Sequence, residues 1–374
     1  MAKKVCIIRS NPVNPDSRVE KEAWSLKKAG YDVHILAWDR SSDQKEINDF
    51  ITVAEEKISI TRLGHKATYG EGMKNLKSYL AFQFHVRRWL KKNSFDVVHA
   101  CDFDTAFFSQ GVVRRKKEKF IFDIFDFIAG EPKTFFQKMV KKAQLRIINR
   151  ADATIICTEE RKNQISGSRP KRLAVVHNTP SRAQVGEYKF NIEKSDKVKI
   201  AYVGILQDYR LLKEILELVS EREDLEFHAG GFGKYEELFC QMSEKFLNIK
   251  FYGRLTYEQT LAMERECDIM LAIYDPEIEN HRFAAPNKFY ESLMLGKPVI
   301  MAKNTGMSQV VKENGIGTVI DYSKEGLEQG IDELIANKSE WKTTGEQMRA
   351  LYENQYCWEE MEKRLLSLYS EVLR

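Results

Sequence analysis

The chain has 374 residues, of which 43% are hydrophobic and 30% are charged, and this suits a globular protein of two ordinary domains. No apolar run reaches the roughly 18 residues of a membrane span and no signal-peptide core follows the N-terminus, so we expect a cytoplasmic protein. Six scattered cysteines and seven histidines without zinc spacing predict free thiols in a reducing compartment and no structural metal.

Positive charge is concentrated in the first half of the chain. Residues 1–190 carry 36 Lys and Arg against 22 Asp and Glu, whereas the remainder carries 23 against 33. Such an asymmetry is typical of a protein in which one part meets an anionic partner. Nucleic acid, anionic lipid and phosphorylated substrates all fit that description.

The first half alternates short apolar runs with segments of helical length. The predicted strands cover residues 5–8, 33–37, 95–99, 120–124 and 153–157. A helix between the first two ends at Ala29-Gly30. Strands separated by helices predict right-handed βαβ units and therefore a parallel sheet.

The second half repeats this scheme after a polar stretch, 186–197, which we interpret as a linker. Its predicted strands cover residues 198–203, 225–229, 249–252, 269–273, 298–301 and 317–320. The sequence therefore predicts two doubly wound α/β domains in tandem. Ligands of such sheets bind at the carboxyl ends of the strands, so we expect a ligand cleft between the two domains.

The segment Pro-Asn-Lys-Phe-Tyr-Glu at 286–291 has the strongest functional pattern. Pro286 suits the first turn of a helix, and Lys288 and Glu291 are three residues apart, so they share a helix face. Free backbone amides and Lys288 favour a phosphate, and Glu291 can accept hydrogen bonds from vicinal hydroxyl groups. The pattern predicts a nucleotide site, and its alternative is an ordinary helix with one surface ion pair.

Together with other short motifs, this segment resembles the GT-B retaining glycosyltransferases of family 4. The matching motifs are Tyr202-Val203-Gly204, Arg210, 230–233, 251–254, 267–269 and 286–298 in the second half, and 16–19, 30–33, 96–99, 151–154 and 176–178 in the first. The resemblance implies a GT-B fold: two Rossmann-like domains facing a central cleft. It assigns an acceptor-binding domain to 1–188, a donor-binding domain to 196–357, and a C-terminal helix, 358–374, that crosses back to the N-terminal domain.

The resemblance also implies roles for matching residues. The implied contacts are those of the donor diphosphate with Gly204, Arg210, Asn287 and Lys288, of the ribose with Glu291, and of the nucleobase with Arg254 and Leu255. Phe283 stands where the family often has a second glutamate, so the candidates for contact with the donor sugar are Asn280, His281 and Arg282. The first loop, 10–16, lacks the family's frequent glycines, and the polar residues Asp16 and Arg18 are further candidates for the donor sugar or acceptor. Relatives commonly place a histidine at or near position 125, which is Phe here, so the candidate catalytic bases are Asp126 and Asp102, each of which could equally cap a helix.

The function that the resemblance implies is metal-independent transfer of a sugar, with retention, from a nucleoside-diphosphate sugar. The acceptor would be a glycan or lipid-linked sugar in the synthesis of a surface polysaccharide or related glycan, with no cofactor and no nucleic-acid partner. Arg210, Lys288 and helix N-termini would stabilise the leaving diphosphate. Residues 133–150 combine a basic face with apolar residues, which suits a peripheral helix on an anionic membrane and equally a solvated helix packed on the core.

Other functions remain open at this point. A sugar-nucleotide epimerase shares the GT-B architecture and needs no acceptor. Asp102-Phe103-Asp104 has the Asp-x-Asp form of the metal-dependent GT-A enzymes, although these have a single α/β unit. A basic membrane- or nucleic-acid-binding module would leave the nucleotide-type loops unused. A nicotinamide dehydrogenase is disfavoured because no Gly-x-Gly-x-x-Gly follows the first strand.

Overall fold

The computed structural model describes residues 2–68, 72–128, 132–182 and 188–374. The chain forms two compact units: unit 1 comprises Met1–Val176 with Met361–Arg374, and unit 2 comprises His177–Glu360. The stretch interpreted as a linker begins nine residues inside unit 2 by this division, and its described part, 188–197, contains no helix or strand.

Unit 1 is built on an eight-stranded sheet. Its strands are β1 (Lys4–Arg9), β2 (Asp32–Asp39), β3 (Ile47–Val53), β4 (Glu56–Gly64), β5 (Val97–Cys101), β6 (Lys119–Ile124), β7 (Ala153–Ile156) and β8 (Leu173–Val175). Its first helices are α1 (Ser17–Lys28), α2 (Leu76–Lys92), α3 (Asp102–Lys116), α4 (Phe135–Arg150) and α5 (Arg161–Gln164). The strand order is β3-β4-β2-β1-β5-β6-β7-β8, and every pair is parallel except β3 with β4.

The central strands of unit 1 are buried along nearly their whole length. β5 and β7 have no exposed residue, and β1 and β6 are exposed at Lys4 and Lys119 alone. Helices cover both faces of a parallel sheet, so its strands appear in the sequence as continuous apolar runs. All five strands predicted in this half are present for that reason. The antiparallel β3–β4 hairpin and the short β8 were not predicted.

Unit 2 is a six-stranded, fully parallel sheet with helices between its strands. Its strands are β9 (Val198–Ile205), β10 (Leu225–Phe232), β11 (Ile249–Phe251), β12 (Ile269–Leu271), β13 (Val299–Ala302) and β14 (Gly317–Ile320). Its helices are α6 (Leu212–Glu221), α7 (Glu236–Lys245), α8 (Tyr257–Glu266), α9 (Asn287–Leu295), α10 (Ser308–Asn314), α11 (Lys324–Ala336) and α12 (Trp341–Leu351). The order β11-β10-β9-β12-β13-β14 reverses direction beside β9. The carboxyl ends of β9 and β12 therefore form a topological switch point, where such sheets bind ligands.

The last helix, α13, spans Trp358–Leu373 as predicted, and its residues from Met361 onward belong to unit 1. The Tyr369 hydroxyl lies 2.8 Å from Nδ1 of His99, and Glu362 forms an ion pair with Lys28 at 3.1 Å. The predicted return of the C-terminal helix to the N-terminal domain is therefore confirmed.

No helix among the described residues is long and apolar enough to cross a membrane. All six cysteines are free thiols, and Cys240 is the exposed one.

Candidate functional site

Helix α9 begins directly after the loop that follows β12. Pro286 is the N-cap of α9, one residue before the predicted position, and Gly296 ends the helix in the left-handed conformation. Every residue from Phe289 to Leu295 is buried. The reason is that α8 and α12 both pack against α9. Its amino end lies at the switch point of unit 2.

Lys288, in the first turn of α9, lies over Gly204 at the end of β9. Its Nζ atom is 2.7 Å from the position that a Cβ of residue 204 would occupy, and 4.8 Å from the centroid of the Tyr202 ring. Burial by itself would lower the pKa of Lys288. Its electrostatic interactions with Tyr202, Tyr274 and the carboxyl groups of Glu291 and Glu264 outweigh burial and raise the pKa. Lys288 is therefore a permanently charged group in a space that exists because residue 204 is glycine.

The carboxyl ends of β9 and β10 approach each other closely. Gly231 has a φ of +137°, and a Cβ at this residue would clash with the carbonyl oxygen of Gly204. A Cβ at Gly230 would lie 2.8 Å from Cδ1 of Leu255, and the Arg254 guanidinium lies 3.9 Å from the centroid of the Phe232 ring. The two predicted nucleobase residues thus pack on the end of β10.

Arg210 and His281, predicted from different motifs, are brought together. The Arg210 guanidinium lies 3.7 Å from the centroid of the Tyr274 ring, and its Nη1 is 3.3 Å from Nε2 of His281. Nδ1 of His281 is 2.9 Å from the carbonyl oxygen of Asp275. Arg282 is exposed, and its Nε donates to the carbonyl oxygen of Pro276 at 3.0 Å.

The motif at 176–178 supplies contacts to α9. The Asn178 amide donates to Oδ1 of Asn287 at 3.2 Å, and Asn287 is otherwise exposed. Nδ1 of His177 lies 2.6 Å from the hydroxyl of Tyr290, and both side chains are buried. This pairing fixes the first turns of α9 against the segment that enters unit 2.

Glu291 interacts electrostatically with a second carboxyl group, that of Glu264, which the sequence did not identify. Glu291 is 4% exposed, and burial together with its carboxylate raises the pKa of the Tyr257 phenol, which is hydrogen-bonded to it. Glu264 of α8 is fully buried, and neither of its side-chain oxygens has a hydrogen-bond partner among the described residues. Burial and then repulsion from Glu291 raise the pKa of Glu264 well above its usual range, which favours the neutral form of this carboxyl group. The signal in the sequence is a glutamate that directly follows the apolar positions 261–263 of α8.

In unit 1, the candidate base Asp102 follows β5 and is held by three contacts. Its Oδ1 accepts from the backbone NH groups of Phe125 at 3.0 Å and Asp126 at 3.1 Å, and its Oδ2 forms an ion pair with Arg9. Burial, opposed by Arg9, raises the pKa of Asp102 to about 6. A carboxyl group that titrates close to neutral pH suits general base catalysis.

The two other acidic candidates have different surroundings. The Asp126 side chain is 69% exposed and lies 3.2 Å from the guanidinium of Arg161. Asp16 is the N-cap of α1, and its carboxylate accepts from Nε of Arg9 at 2.9 Å and from the Asn11 amide at 2.7 Å. Arg9 thus connects Asp16 with Asp102, whereas Asp126 meets Asp102 through its backbone.

Arg18 is placed differently from the expectation that it contacts a sugar or acceptor. It is 2% exposed, and its Nη2 donates to both oxygens of Asp123 at 2.8 and 3.0 Å. Its Nε donates to Glu22 at 3.0 Å, and its Nη1 donates to the carbonyl oxygen of Val176 at 2.9 Å. The guanidinium interacts with buried partners because Arg18 is the first buried residue of α1, on the side of the helix that packs against the sheet. We therefore remove it from the set of ligand-binding candidates.

The same buried cluster contains His99, Cys101 and Asp123, whose potential metal-ligand atoms lie within 4.8 Å of one another. The carboxylate of Asp123 is already bound by Arg18, and its Oδ2 lies 3.3 Å from Nε2 of His99. The cation in this cluster is the guanidinium, so the contacts fit an ion-pair network better than a metal site.

Two family profiles match the chain. The profile described as Glycosyltransferase Family 4 matches residues 18–179, and the profile described as Glycosyl transferases group 1 matches residues 185–356. The chain belongs to the family 4 glycosyltransferases of GT-B type. This glycosyltransferase is also 22% identical over 324 residues to an uncharacterised glycosyltransferase of Methanocaldococcus jannaschii, with 78% of this chain and 80% of the relative covered.

Solved structures share the fold of this glycosyltransferase. Sucrose-phosphate synthase from Thermosynechococcus elongatus superposes with a TM-score of 0.79 at 13% identity, covering 99% of both chains. HepE of Anabaena, solved in complex with UDP-glucose, superposes with a TM-score of 0.70 at 12% identity, covering 98% of this chain and 99% of HepE. The predicted pair of Rossmann-like α/β domains is therefore confirmed.

The buried ion-pair network predicts a large loss of stability on Arg18→Met. Asp123 and Glu22 would then be buried without their cation, and we expect the free energy of unfolding to fall by about 3–5 kcal/mol. Denaturant unfolding measures this change. Lys28→Met is the matched control in α1, because its exposed pair with Glu362 is worth at most about 1 kcal/mol. Equal losses in the two variants would contradict this account of Arg18.

The raised pKa of Glu264 predicts that the stability of the protein depends on pH. Because its pKa is raised in the folded state, the folded protein holds this proton more tightly than the unfolded chain, and stability is lost as the pH rises above the range in which an exposed glutamate titrates. Glu264→Gln removes that loss, so its stability relative to the wild type should rise from about pH 5 to about pH 8. Glu258→Gln, on the exposed side of α8, should show no such trend in denaturant titrations. A difference for Glu264→Gln that is independent of pH would contradict the raised pKa of Glu264.

Proposed function

We propose that this glycosyltransferase transfers a sugar, with retention of anomeric configuration, from a nucleoside-diphosphate sugar to a glycan or lipid-linked acceptor. The process would be the synthesis of a surface polysaccharide or related glycan. The observation that carries this proposal is the cluster of Lys288 and Arg210 around Tyr202 at the carboxyl end of β9. Two cations beside the amino end of α9 at a switch point form a site for a diphosphate. The UDP-glucose complex of HepE supports a uridine diphosphate sugar as the donor.

Each donor group has a candidate partner in unit 2. Arg210 and Lys288 neutralise the diphosphate, and Gly204 and Asn287 bring backbone groups close to it. Glu291 binds the ribose hydroxyls, and Arg254 with Leu255 receives the base. His281, in contact with Arg210, is the candidate partner of the donor sugar, and the exposed Arg282 follows it. The proposed donor-binding domain is therefore unit 2.

The leaving diphosphate gains negative charge as the glycosidic bond breaks. Arg210 and Lys288 stabilise that charge electrostatically, which is the task that a divalent metal performs in other transferases. Because two cationic side chains can stabilise the leaving group, we propose that the reaction needs no metal ion.

Unit 1 would bind the acceptor and supply the base. Between the two predicted bases, Asp102 is favoured because its pKa of about 6 lets it accept a proton near neutral pH. Asp126 lies beside it in an exposed position. Asp16 orients Arg9, which in turn holds Asp102.

The donor site predicts that Arg210→Ala and Lys288→Ala each weaken the binding of uridine diphosphate by at least about tenfold, since each removes a charge-assisted contact. Isothermal titration calorimetry measures the affinity. Arg222→Ala is the control, because Arg222 precedes the opposite end of β10 and pairs with Asp224 and Asp332. Wild-type affinity in both site variants would remove the proposed diphosphate site.

Helix α4 carries the proposed association with the membrane surface. Its residues Phe135, Phe136 and Met139 are 79%, 73% and 55% exposed, whereas Ile147 and Ile148 are buried. The apolar residues in the first turns of α4 thus face solvent. The apolar residues in its later turns pack on the core, as the alternative interpretation of this helix expected. Exposed aromatic rings on a basic helix are typical of peripheral binding to an anionic bilayer.

This surface predicts weaker membrane binding when Phe135→Ser and Phe136→Ser are combined. Two rings lose their contact with lipid, so binding to phosphatidylglycerol vesicles should fall by at least about tenfold, while donor affinity is unchanged. Vesicle co-sedimentation is the measurement. Phe50→Ser, which removes a ring that is 58% exposed on the edge strand β3, should bind as the wild type does. Undiminished sedimentation of the double variant would exclude α4 as the contact.

A further inference from the structure

Unit 1 contains a concave surface lined largely by basic residues, which we call the basic cavity. Its volume is about 860 Å³, and it lies at the amino end of β6, between α3 and the end of α4. Its lining residues include Phe107, Gly111, Arg114, Lys119 and Arg150. A cavity of this size is within the range of small-molecule sites, which is roughly 300–1,000 Å³.

The basic cavity lies at the opposite edge of the sheet from the candidate catalytic carboxylates. Lys119 and Phe120, which line it, begin β6, whereas Asp126 follows the other end of that strand. Six residues of strand separate the two edges by roughly 17 Å. The basic cavity is therefore a site distinct from the proposed reaction centre.

Positive charge in the basic cavity is not neutralised by its own acidic residues. Glu118 forms an ion pair with Lys116 at 2.8 Å, and Asp152 forms one with Lys171 at 3.1 Å. Among the residues that the structure describes, the remaining cationic side chains of the lining have no carboxylate within 4.0 Å: Arg87, Arg114, Lys117, Lys119 and Arg150.

Helix C-termini account for part of this charge. Arg114 and Arg150 lie in the last turns of α3 and α4, where a cation interacts favourably with the helix dipole. Arg87 has no such role, because it lies on α2 more than a turn before its end, and Lys119 belongs to a strand. Cations from four separate elements therefore converge on one space, and helix stabilisation does not explain the set.

The wall of the basic cavity provides room as well as charge. Gly111 faces open space, since a Cβ at this position would meet no atom within 4 Å. Phe107, one turn earlier in α3, is 47% exposed. An anionic group can therefore enter the basic cavity beside Gly111, and the ring of Phe107 is placed to contact an apolar part of the same ligand.

We propose that the basic cavity binds a phosphate-bearing ligand, namely an anionic phospholipid headgroup or a free phosphorylated compound. Guanidinium and ammonium groups bind phosphate oxygens by charge-assisted hydrogen bonds, and several such groups together suit a ligand with more than one negative charge. The site is separate from the donor site of unit 2 and does not depend on it.

The test places a charge in the basic cavity without removing any of its cations. Gly111→Glu adds a carboxylate to the open wall, and Gly111→Gln adds a neutral side chain of the same length. Both replace a glycine inside a helix, so neither should destabilise α3. Inorganic pyrophosphate is the soluble probe, measured by calorimetry in the Arg210→Ala/Lys288→Ala background to suppress binding at the donor site.

We expect Gly111→Glu to bind pyrophosphate about tenfold more weakly than Gly111→Gln, because a fixed negative charge repels the ligand. Vesicles of phosphatidylglycerol and of phosphatidylcholine form the second arm, in the Phe135→Ser/Phe136→Ser background. A loss of binding to both pyrophosphate and phosphatidylglycerol vesicles identifies a lipid headgroup, and a loss confined to pyrophosphate identifies a free phosphorylated compound. Equal binding by Gly111→Glu and Gly111→Gln in both arms, or no binding by their parent backgrounds, would overturn the proposal.

Discussion

The close approach of β9 and β10 at their carboxyl ends is the constraint on which the proposed donor site depends. A side chain at Gly231 would collide with the backbone of Gly204, and a side chain at Gly204 would displace the ammonium of Lys288. Lys288 therefore reaches the end of β9 because Gly204 leaves space for its ammonium group, and Gly231 permits the close approach of the two strands. The first turn of α9, its N-cap and the aromatic rings beside it are all positioned around that cation.

Both units bury ionisable groups, and the desolvation of these groups is compensated differently in each unit. In unit 1, the positive charge of Arg18 is balanced by Asp123 and Glu22, so the group is sealed in the core. Among the described residues of unit 2, Lys288 has no carboxylate within salt-bridge distance, and burial raises the pKa of Glu264 well above its usual range, which favours its neutral form. A cation that is not neutralised by a bonded carboxylate remains available to an anionic ligand. Unit 2 is therefore the better place for a diphosphate.

The local pattern of apolar and polar residues predicted most of the strands and helices. The elements that it missed were missed for physical reasons. Strands buried on both faces are continuous apolar runs, which is why the central strands of both sheets were predicted. The β3–β4 hairpin was missed because β3 is mostly exposed and its turn, Ala54-Glu55, adopts positive φ without the usual Asn or Gly. The later turns of α4 pack on the core while its first turns remain exposed, a difference that helical periodicity could not show.

By itself, the sequence determined the alternation of strands and helices, the family, the helix that begins after Pro286 and the excess of positive charge in the first half. The tertiary structure decided which polar groups meet: Arg18 with Asp123, Glu264 with Glu291, and the cations of the basic cavity with one another. The physical reason is that secondary structure follows from interactions within a few residues, whereas these partners come together through sheet order and helix packing. Burial then sets their charge states, because desolvation depends on the whole fold around a group.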